Sequence, residues 1–441
     1  MVLFIYLLLV IAFIVVGTAK FKLHPFLVLL LAALVMGGVG GLDGNAILTK
    51  LTEGFGGTLK SIGIVIACGT IIGVFLERSG GARAIAGALL KVVGESKAPM
   101  AMSLTGVIVS VPVFCDSGFV ILSTLIRALS RKTGMSLAVL AVALATGLYA
   151  THVFVPPTPG PLAAAATLGA DIGLIVLYGL LVSIPTAGVG LVWALWYAKR
   201  FAIVPKRDTA ENPPDTGRTP GTAFALAPLL VPVVLIALKS VADSPAAPFG
   251  EGWLSASIKF LGHPVMALMI GVFFAFGLPG RERSPLRFEW VTEGLRQAGV
   301  IILITGAGGA FGNVLRAIGI GDALGPLVAE WNLGILLPFV VAALLKSAQG
   351  SSTVAIITTA ALVAPLLPDL GLTSATSKAL AVLAIGAGSM TVSHVNDSYF
   401  WVVSQFSEMD TATALRCHTL ATLWQGMTGI LVIALLNSIL G

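Results

Sequence analysis

The residues with the clearest capacity for chemistry stand together at Ser393-His394-Val395-Asn396-Asp397, just ahead of Ser398-Tyr399-Phe400-Trp401. A histidine, an asparagine and an aspartate occur there within a stretch otherwise apolar enough to cross a bilayer. Such groups are costly at membrane depth, and they persist mainly where they line a cavity or a substrate path. A second break, Thr151-His152-Val153-Phe154-Val155-Pro156-Pro157-Thr158-Pro159-Gly160-Pro161, interrupts an equally apolar segment earlier in the chain. Two more stretches carry polar residues at their centres: Cys115-Asp116-Ser117-Gly118, and Lys346-Ser347-Ala348-Gln349-Gly350-Ser351-Ser352-Thr353. Paired interruptions at corresponding points of two halves are the sequence signature of a transporter site.

Four of these residues are candidates to load and release a proton. Asp116 and Asp397 are carboxyls, whose proton affinity responds to burial, and His152 and His394 are candidates because histidine is the side chain whose ordinary charge change falls near neutral pH. Gly118, Gly350, Ser351 and Ser352 are small enough for a ligand to approach the backbone. Ser117, Thr151, Ser351, Ser352, Thr353 and Ser393 supply hydroxyls, and Asn396 can both donate and accept. Lys346 has two open readings: an anion contact, or a side chain that pairs with an acid or extends toward the surface. His24 and His263 each precede a proline at the start of a span and read as structural. The prolines around residue 157 cannot continue a helix and free carbonyls for local partners.

The elements that must hold these residues are membrane helices. The chain is 57% hydrophobic and only 10% charged, against about 25% charged in soluble domains. Its mean hydropathy is +1.00, so the expected fold class is an all-α polytopic membrane protein. Apolar runs at 2–19, 24–41, 57–76, 136–168, 171–198, 222–242, 262–279, 298–317, 377–405 and 419–440 give about 10 transmembrane helices, two of them broken. The first run has neither a charged leader nor a small-residue cleavage site and reads as a retained span. The stretches 98–126 and 334–367 are too long for simple crossings and read as re-entrant hairpins, tolerated where broken backbone faces protein or water. With the N-terminus outside, most of the 26 basic residues fall on the inner side, including Lys97, Arg127, Arg131, Lys132, Lys199, Lys206, Arg207, Arg218, Arg281 and Arg283. The net charge of +6 is thus a matter of topology and not a nucleic-acid signal. Cys68, Cys115 and Cys417 lie in or beside apolar segments without metal-type spacing and read as core residues.

The pattern also repeats. His24-Pro25 and the Gly37–Gly41 cluster recur as His263-Pro264 and Gly277–Gly280, while Gly69 and Gly73 recur as Gly308 and Gly312. An odd number of crossings separates equivalent elements, which makes this an inverted repeat with its site near the midplane. The expected organisation is an N-terminal helix (1–22), a first repeat (23–198, with hairpin 98–126 and broken helix 136–168), a cytoplasmic linker (199–221), a connecting helix and outer loop (222–260), and a second repeat (261–441, with hairpin 334–367 and broken helix 377–405).

At these residues the sequence resembles the gluconate permease family of proton-coupled sugar-acid symporters. The resemblance rests on Thr151-His152 with Pro156-Pro157-Thr158-Pro159-Gly160-Pro161, on Gly350-Ser351-Ser352-Thr353-Val354-Ala355, and on Ser393-His394-Val395-Asn396-Asp397 with Phe400-Trp401. Gly56-Gly57-Thr58-Leu59 and Ala170-Asp171-Ile172-Gly173 fit as well. The chain departs from the family pattern at Thr158, where members often carry histidine, and at Cys115-Asp116-Ser117, whose neighbours of the acid are smaller and more polar. The resemblance implies a secondary transporter of the bacterial inner membrane that imports gluconate or a related sugar acid with protons, without a cofactor or metal. It also implies a likeness to the ion-transporter superfamily of dimeric elevator-type carriers, and hence a homodimer. Glycerate, D-serine or sodium coupling remain alternatives; an amino acid would need an anionic partner for its ammonium, a role open to Asp116. A sugar acid needs donors for its carboxylate and mixed partners for its hydroxyls, which helix N-termini at the hairpin tips can supply.

Other classes fit less well. A channel calls for a ring of like charges or carbonyls instead of occluding hairpins. The chain has no His-Glu-x-x-His, no Gly-x-Ser-x-Gly and no Walker loop, so zinc, serine-hydrolase and ATP chemistry find no motif.

Overall fold

The computed structural model describes residues 2–205, 220–243, 248–250, 252–279, 284–323, 330 and 333–440. Lys206, Arg207 and Arg218, with residues 206–219 of the expected linker, lie outside the described residues, as do Gly280, Arg281 and Arg283. The described residues form helices joined by short turns. Six helices are long and apolar enough to cross a membrane, or up to seven when one bent pair is counted as a span. The protein is a multi-pass membrane protein.

In chain order the helices are α1 (Val2–Ala19), α2 (Pro25–Val39), α3 (Gly44–Ser79), α4 (Gly81–Val93), α5 (Ala98–Val109), α6 (Cys115–Thr133), α7 (Leu137–Phe154), α8 (Pro159–Leu168) and α9 (Ile172–Trp196). They continue as α10 (Thr222–Ala242), α11 (Trp253–Leu261), α12 (Pro264–Gly277), α13 (Arg287–Ala317), α14 (Leu336–Gln349), α15 (Ser352–Val363), α16 (Ala375–Met390), α17 (Ser398–Phe406) and α18 (Thr411–Leu440). α11 and α12 meet at a bend of 67°. Within α18 the backbone passes through a π-helical turn at Leu415–Thr419.

Two long helices pack as a pair, and one of them, α13, forms a wall of the site. α3 has 36 residues and α13 has 31; at 1.5 Å per residue both are longer than the hydrocarbon thickness of roughly 30 Å. They lie side by side and antiparallel, since Gly54 abuts Gly309 near one end and Ile71 abuts Gly294 near the other. The Asn313 amide donates to the Lys50 carbonyl at 2.7 Å across the pair. A Cβ on Gly54 or Gly309 would strike the opposite helix, and small residues allow such close backbone approach between membrane helices.

The sequence of α7, Leu-Ala-Val-Leu-Ala-Val-Ala-Leu, is apolar on every side, and a helix of that kind belongs in the interior. Every residue from Leu137 to Phe154 is buried. α10 carries Pro228 and Pro232 within it and keeps only part of its surface buried, as expected of a helix facing lipid.

Each of the four sequence interruptions separates two helices. The first lies between α5 and α6 at residues 110–114, a few residues before the expected Cys115-Asp116-Ser117-Gly118, which instead forms the first turn of α6. Aspartate and serine favour a helix start, where the amide groups are free. The second runs from Val155 to Thr158 and contains the cis Pro156–Pro157 bond. Gly350 and Ser351 form the third, and residues 391–397 the fourth.

Candidate functional site

Three helices begin at one cavity. Its lining includes Cys115, Asp116 and Ser117 from the first turn of α6, Ser351, Ser352 and Thr353 at the start of α15, and Asp397, Ser398 and Tyr399 at the start of α17. His152 of α7 closes one side, with Phe114 beside it at 6.0 Å between ring centroids. Gln297, Val300 and Ile301 of α13 form the facing wall. The cavity measures about 380 Å³, within the range of roughly 300–1,000 Å³ common for small-molecule sites.

The local sequence explains why helices start here. The Ser351 hydroxyl accepts from the Val354 amide at 3.3 Å and caps α15. One oxygen of Asp397 accepts from the Tyr399 amide at 3.1 Å and caps α17. Phe114 has no capping side chain, so the first free amides of α6 remain available. Helix N-termini present such amides together with the positive end of the dipole, and both favour an anion.

Asp116 is partly exposed to the cavity. Its carboxylate accepts from the Ser398 hydroxyl at 3.2 Å and from the Cys115 thiol at 3.6 Å, and no cation forms an ion pair with it among the described residues. Asp397 lies deeper and is fully engaged. Its second oxygen accepts from the Lys346 ammonium at 2.6 Å and from the Ser393 hydroxyl at 2.5 Å. Lys346, wholly buried, also donates to the Gly350 carbonyl, and its ammonium lies 5.9 Å from the centre of the Tyr149 ring. Of the two sequence readings for Lys346, the structure shows the pairing with an acid, and Lys346 is not part of the cavity wall.

His394 and Asn396 are likewise set behind the cavity. The Ser347 carbonyl, in the last turn of α14, lies 3.0 Å from His394 Nε2 and accepts from the Asn396 amide at 2.9 Å. A helix C-terminus leaves its carbonyls without helical partners, and these two side chains supply them. They thereby tie the break before α17 to the tip between α14 and α15. Gly350 completes the joint. Its φ of +87° suits glycine, and a Cβ there would collide with the Asn396 carbonyl. Gly118 faces Leu148, not the cavity. Thr151 is fully buried with its hydroxyl unpartnered, and His152 Nδ1 is unpartnered too.

The expected residues thus divide in two. Asp116, Ser117, His152, Ser351, Ser352, Thr353 and Asp397 meet at the cavity, whereas Gly118, Thr151, Lys346, Gly350, Ser393, His394 and Asn396 support it from behind. Sequence reasoning missed His418, whose Nε2 lies 3.2 Å from the Ser393 hydroxyl, and Tyr399, whose hydroxyl donates to the Ala145 carbonyl at 2.9 Å. A histidine one residue ahead of the final apolar run (419–440) was the available signal for His418. Gln297 was also missed, because one glutamine in a long helix shows no pattern. The three cysteines are free and buried. Among the described residues no cluster of three or more His, Cys, Asp or Glu side chains is arranged to hold a metal.

Comparison with known proteins adds the family context. A family model described as GntP family permease matches residues 1–439. The chain is 36% identical over 434 residues to a gluconate permease of Pseudomonas aeruginosa, covering 97% of this chain and 95% of that protein. It is 35% identical over 423 residues to the D-serine transporter DsdX of Escherichia coli, covering 94% of each. Among solved structures, the YdaH transporter of Alcanivorax borkumensis superposes with a TM-score of 0.67 at 16% identity, covering 94% of this chain and 98% of that one.

Proposed function

This chain belongs to the GntP permease family, and from that premise we propose that it imports gluconate or a related sugar acid across the bacterial inner membrane, coupled to protons. The chain is a permease, not an enzyme. The observation that carries the substrate class is the convergence of three helix N-termini on one cavity lined with hydroxyls. The uncapped first amides of α6 receive the carboxylate, and Ser117, Ser351, Ser352, Thr353 and Ser398 meet the hydroxyl chain.

Asp116 supplies the coupling. It lines the same cavity that would receive the substrate carboxylate, and two like charges held in one site repel each other. A proton on Asp116 removes that repulsion and turns the side chain into a donor. Anion and proton therefore bind together and leave together. Asp397 is held by Lys346 and Ser393 and is the weaker candidate; His152, facing the cavity with an unpartnered Nδ1, is a second acceptor. Alternating access follows from moving the hairpin-tip helices against the α3–α13 pair. The antiparallel packing of these two helices fits two oppositely oriented repeats, and the elevator motion and the homodimer rest on the superfamily resemblance alone.

A specific observation also favours D-serine as an alternative. The Asp116 carboxylate in the cavity can pair with an ammonium, and a relative with 35% identity is named a D-serine transporter. Uptake into proteoliposomes decides between them. Labelled gluconate should accumulate only under an inward proton gradient, not a sodium gradient, and Asp116→Asn should still exchange gluconate but no longer accumulate it. Accumulation of D-serine with gluconate ignored would overturn the sugar-acid assignment, and gradient-driven accumulation by Asp116→Asn would overturn the coupling role.

A further inference from the structure

A second cavity, about 540 Å³, opens far from the first, between the start of α5, the start of α7 and the end of α9. One part of its lining is polar, with Ser96, Lys97, Ser136 and Lys199. The other part is apolar, formed by Pro99, Met100, Met135, Val139, Leu191 and Leu195. We propose that this cavity binds an anionic phospholipid, with the phosphate between Lys97 and Lys199 and an acyl chain along Met100, Leu191 and Leu195.

Charge complementarity supports the headgroup position. Both lysines are exposed, and neither forms an ion pair with a carboxylate among the described residues, in contrast to neighbouring Lys132, which pairs with Glu95 at 2.5 Å. The first turn of α5 lies at the same place, but its Ala98 amide already donates to the Glu95 carbonyl and Pro99 has none to give, so the attraction for an anion rests on the two lysines. Lys97 and Lys199 belong to the cation-rich end of the bundle, and cytoplasmic membrane faces carry both basic residues and anionic lipid.

Two features fix the depth. Trp193, Trp196 and Tyr197 cluster on the last turns of α9, with Trp193 and Tyr197 stacked at 4.6 Å between centroids. The Arg200 guanidinium sits 5.0 Å from both the Trp196 and the Tyr197 ring centres. Aromatic side chains of this kind mark the membrane–water interface. On the same turns Leu195 is 46% exposed and Val192 63%, and on α5 Met100 is 44% exposed, giving an apolar surface that continues from the cavity along the outside of the protein. A free phosphate would use the lysines but leave this apolar wall uncovered, whereas a phospholipid fills both.

The test is native mass spectrometry of the full-length protein in detergent, titrated with phosphatidylglycerol and, separately, with phosphatidylcholine of the same acyl chains. Glycerol 3-phosphate serves as competitor. The protein should bind phosphatidylglycerol in preference to phosphatidylcholine, and glycerol 3-phosphate should not displace it. Lys97→Ala with Lys199→Ala should weaken phosphatidylglycerol binding about 25-fold, at about fivefold per lysine near a charged surface. Met100→Trp, which keeps both charges and obstructs the chain path, should weaken it as well. Equal binding of the two lipids, full displacement by glycerol 3-phosphate, or undiminished phosphatidylglycerol binding by both variants would each overturn the proposal.

Discussion

Removing the Lys346 charge should destabilise the protein far more than removing both members of its ion pair. Lys346 is wholly buried and Asp397 nearly so, with ammonium and carboxylate 2.6 Å apart. In Lys346→Met the Asp397 carboxylate keeps only the Ser393 hydroxyl and the Tyr399 amide, and an uncompensated buried charge costs about 3–5 kcal/mol. Asp397→Asn leaves the buried ammonium with neutral acceptors only, the Gly350 carbonyl among them, and should cost a similar amount. Asparagine caps a helix about as well as aspartate, so the start of α17 survives and the loss reports on charge alone. The double variant, Lys346→Met with Asp397→Asn, buries no net charge and should lie within about 1–2 kcal/mol of the unaltered protein, because replacing a whole buried pair is often close to neutral. The coupling energy, the double cost less the two single costs, is then about 4–9 kcal/mol in magnitude. Unfolding in mixed micelles titrated with sodium dodecyl sulfate, followed by far-UV circular dichroism, gives all four corners of the cycle. If Lys346→Met stays within about 0.5 kcal/mol of the unaltered protein, or the single effects simply add, the pair is not the buried electrostatic unit described here.

Further outcomes follow from the same contacts. Gly350→Ala should lose uptake and about 2 kcal/mol or more of stability, because positive φ and a blocked Cβ coincide there, whereas Gly56→Ala, which meets open space, should match the parent protein in both assays. Ser352→Ala should weaken substrate binding about fivefold to tenfold with little change in stability, and Ser351→Ala should add a capping loss of about 1 kcal/mol; equal stability of the two variants would contradict the cap. At the surface, hydrogen bonds from Lys239 and Lys259 hold the Asp243 carboxyl below its usual range. A depressed carboxyl contributes stability above its unfolded value and loses it as pH falls through the folded one. Lys239→Ala should therefore cost under about 1 kcal/mol at neutral pH, less in high salt, and nothing at strongly acidic pH; a cost that persists in acid would place the effect elsewhere.

Sequence alone determined the class of protein and marked the four points at which its helices break. It could do so because a span must be about 20 apolar residues long and must satisfy its own backbone, so Asp116, Pro156, Gly350 and Asn396 stand out wherever they fall. Even here the signal was blurred by a few residues: Cys115-Asp116-Ser117 was expected in a turn but opens a helix, because the same small polar residues serve either purpose. What the sequence could not decide was which polar residues share a space. Lys346 and Asp397 meet across two helices, His418 reaches Ser393 from the last helix, and Gln297 comes from a helix with no polar break near it. His394 and Asn396, the most conspicuous residues of the chain, turn toward the Ser347 carbonyl and away from the cavity. Composition reports the cost of placing a polar group in the membrane; only the packing of helices distant in sequence decides whether a ligand or another part of the chain satisfies it.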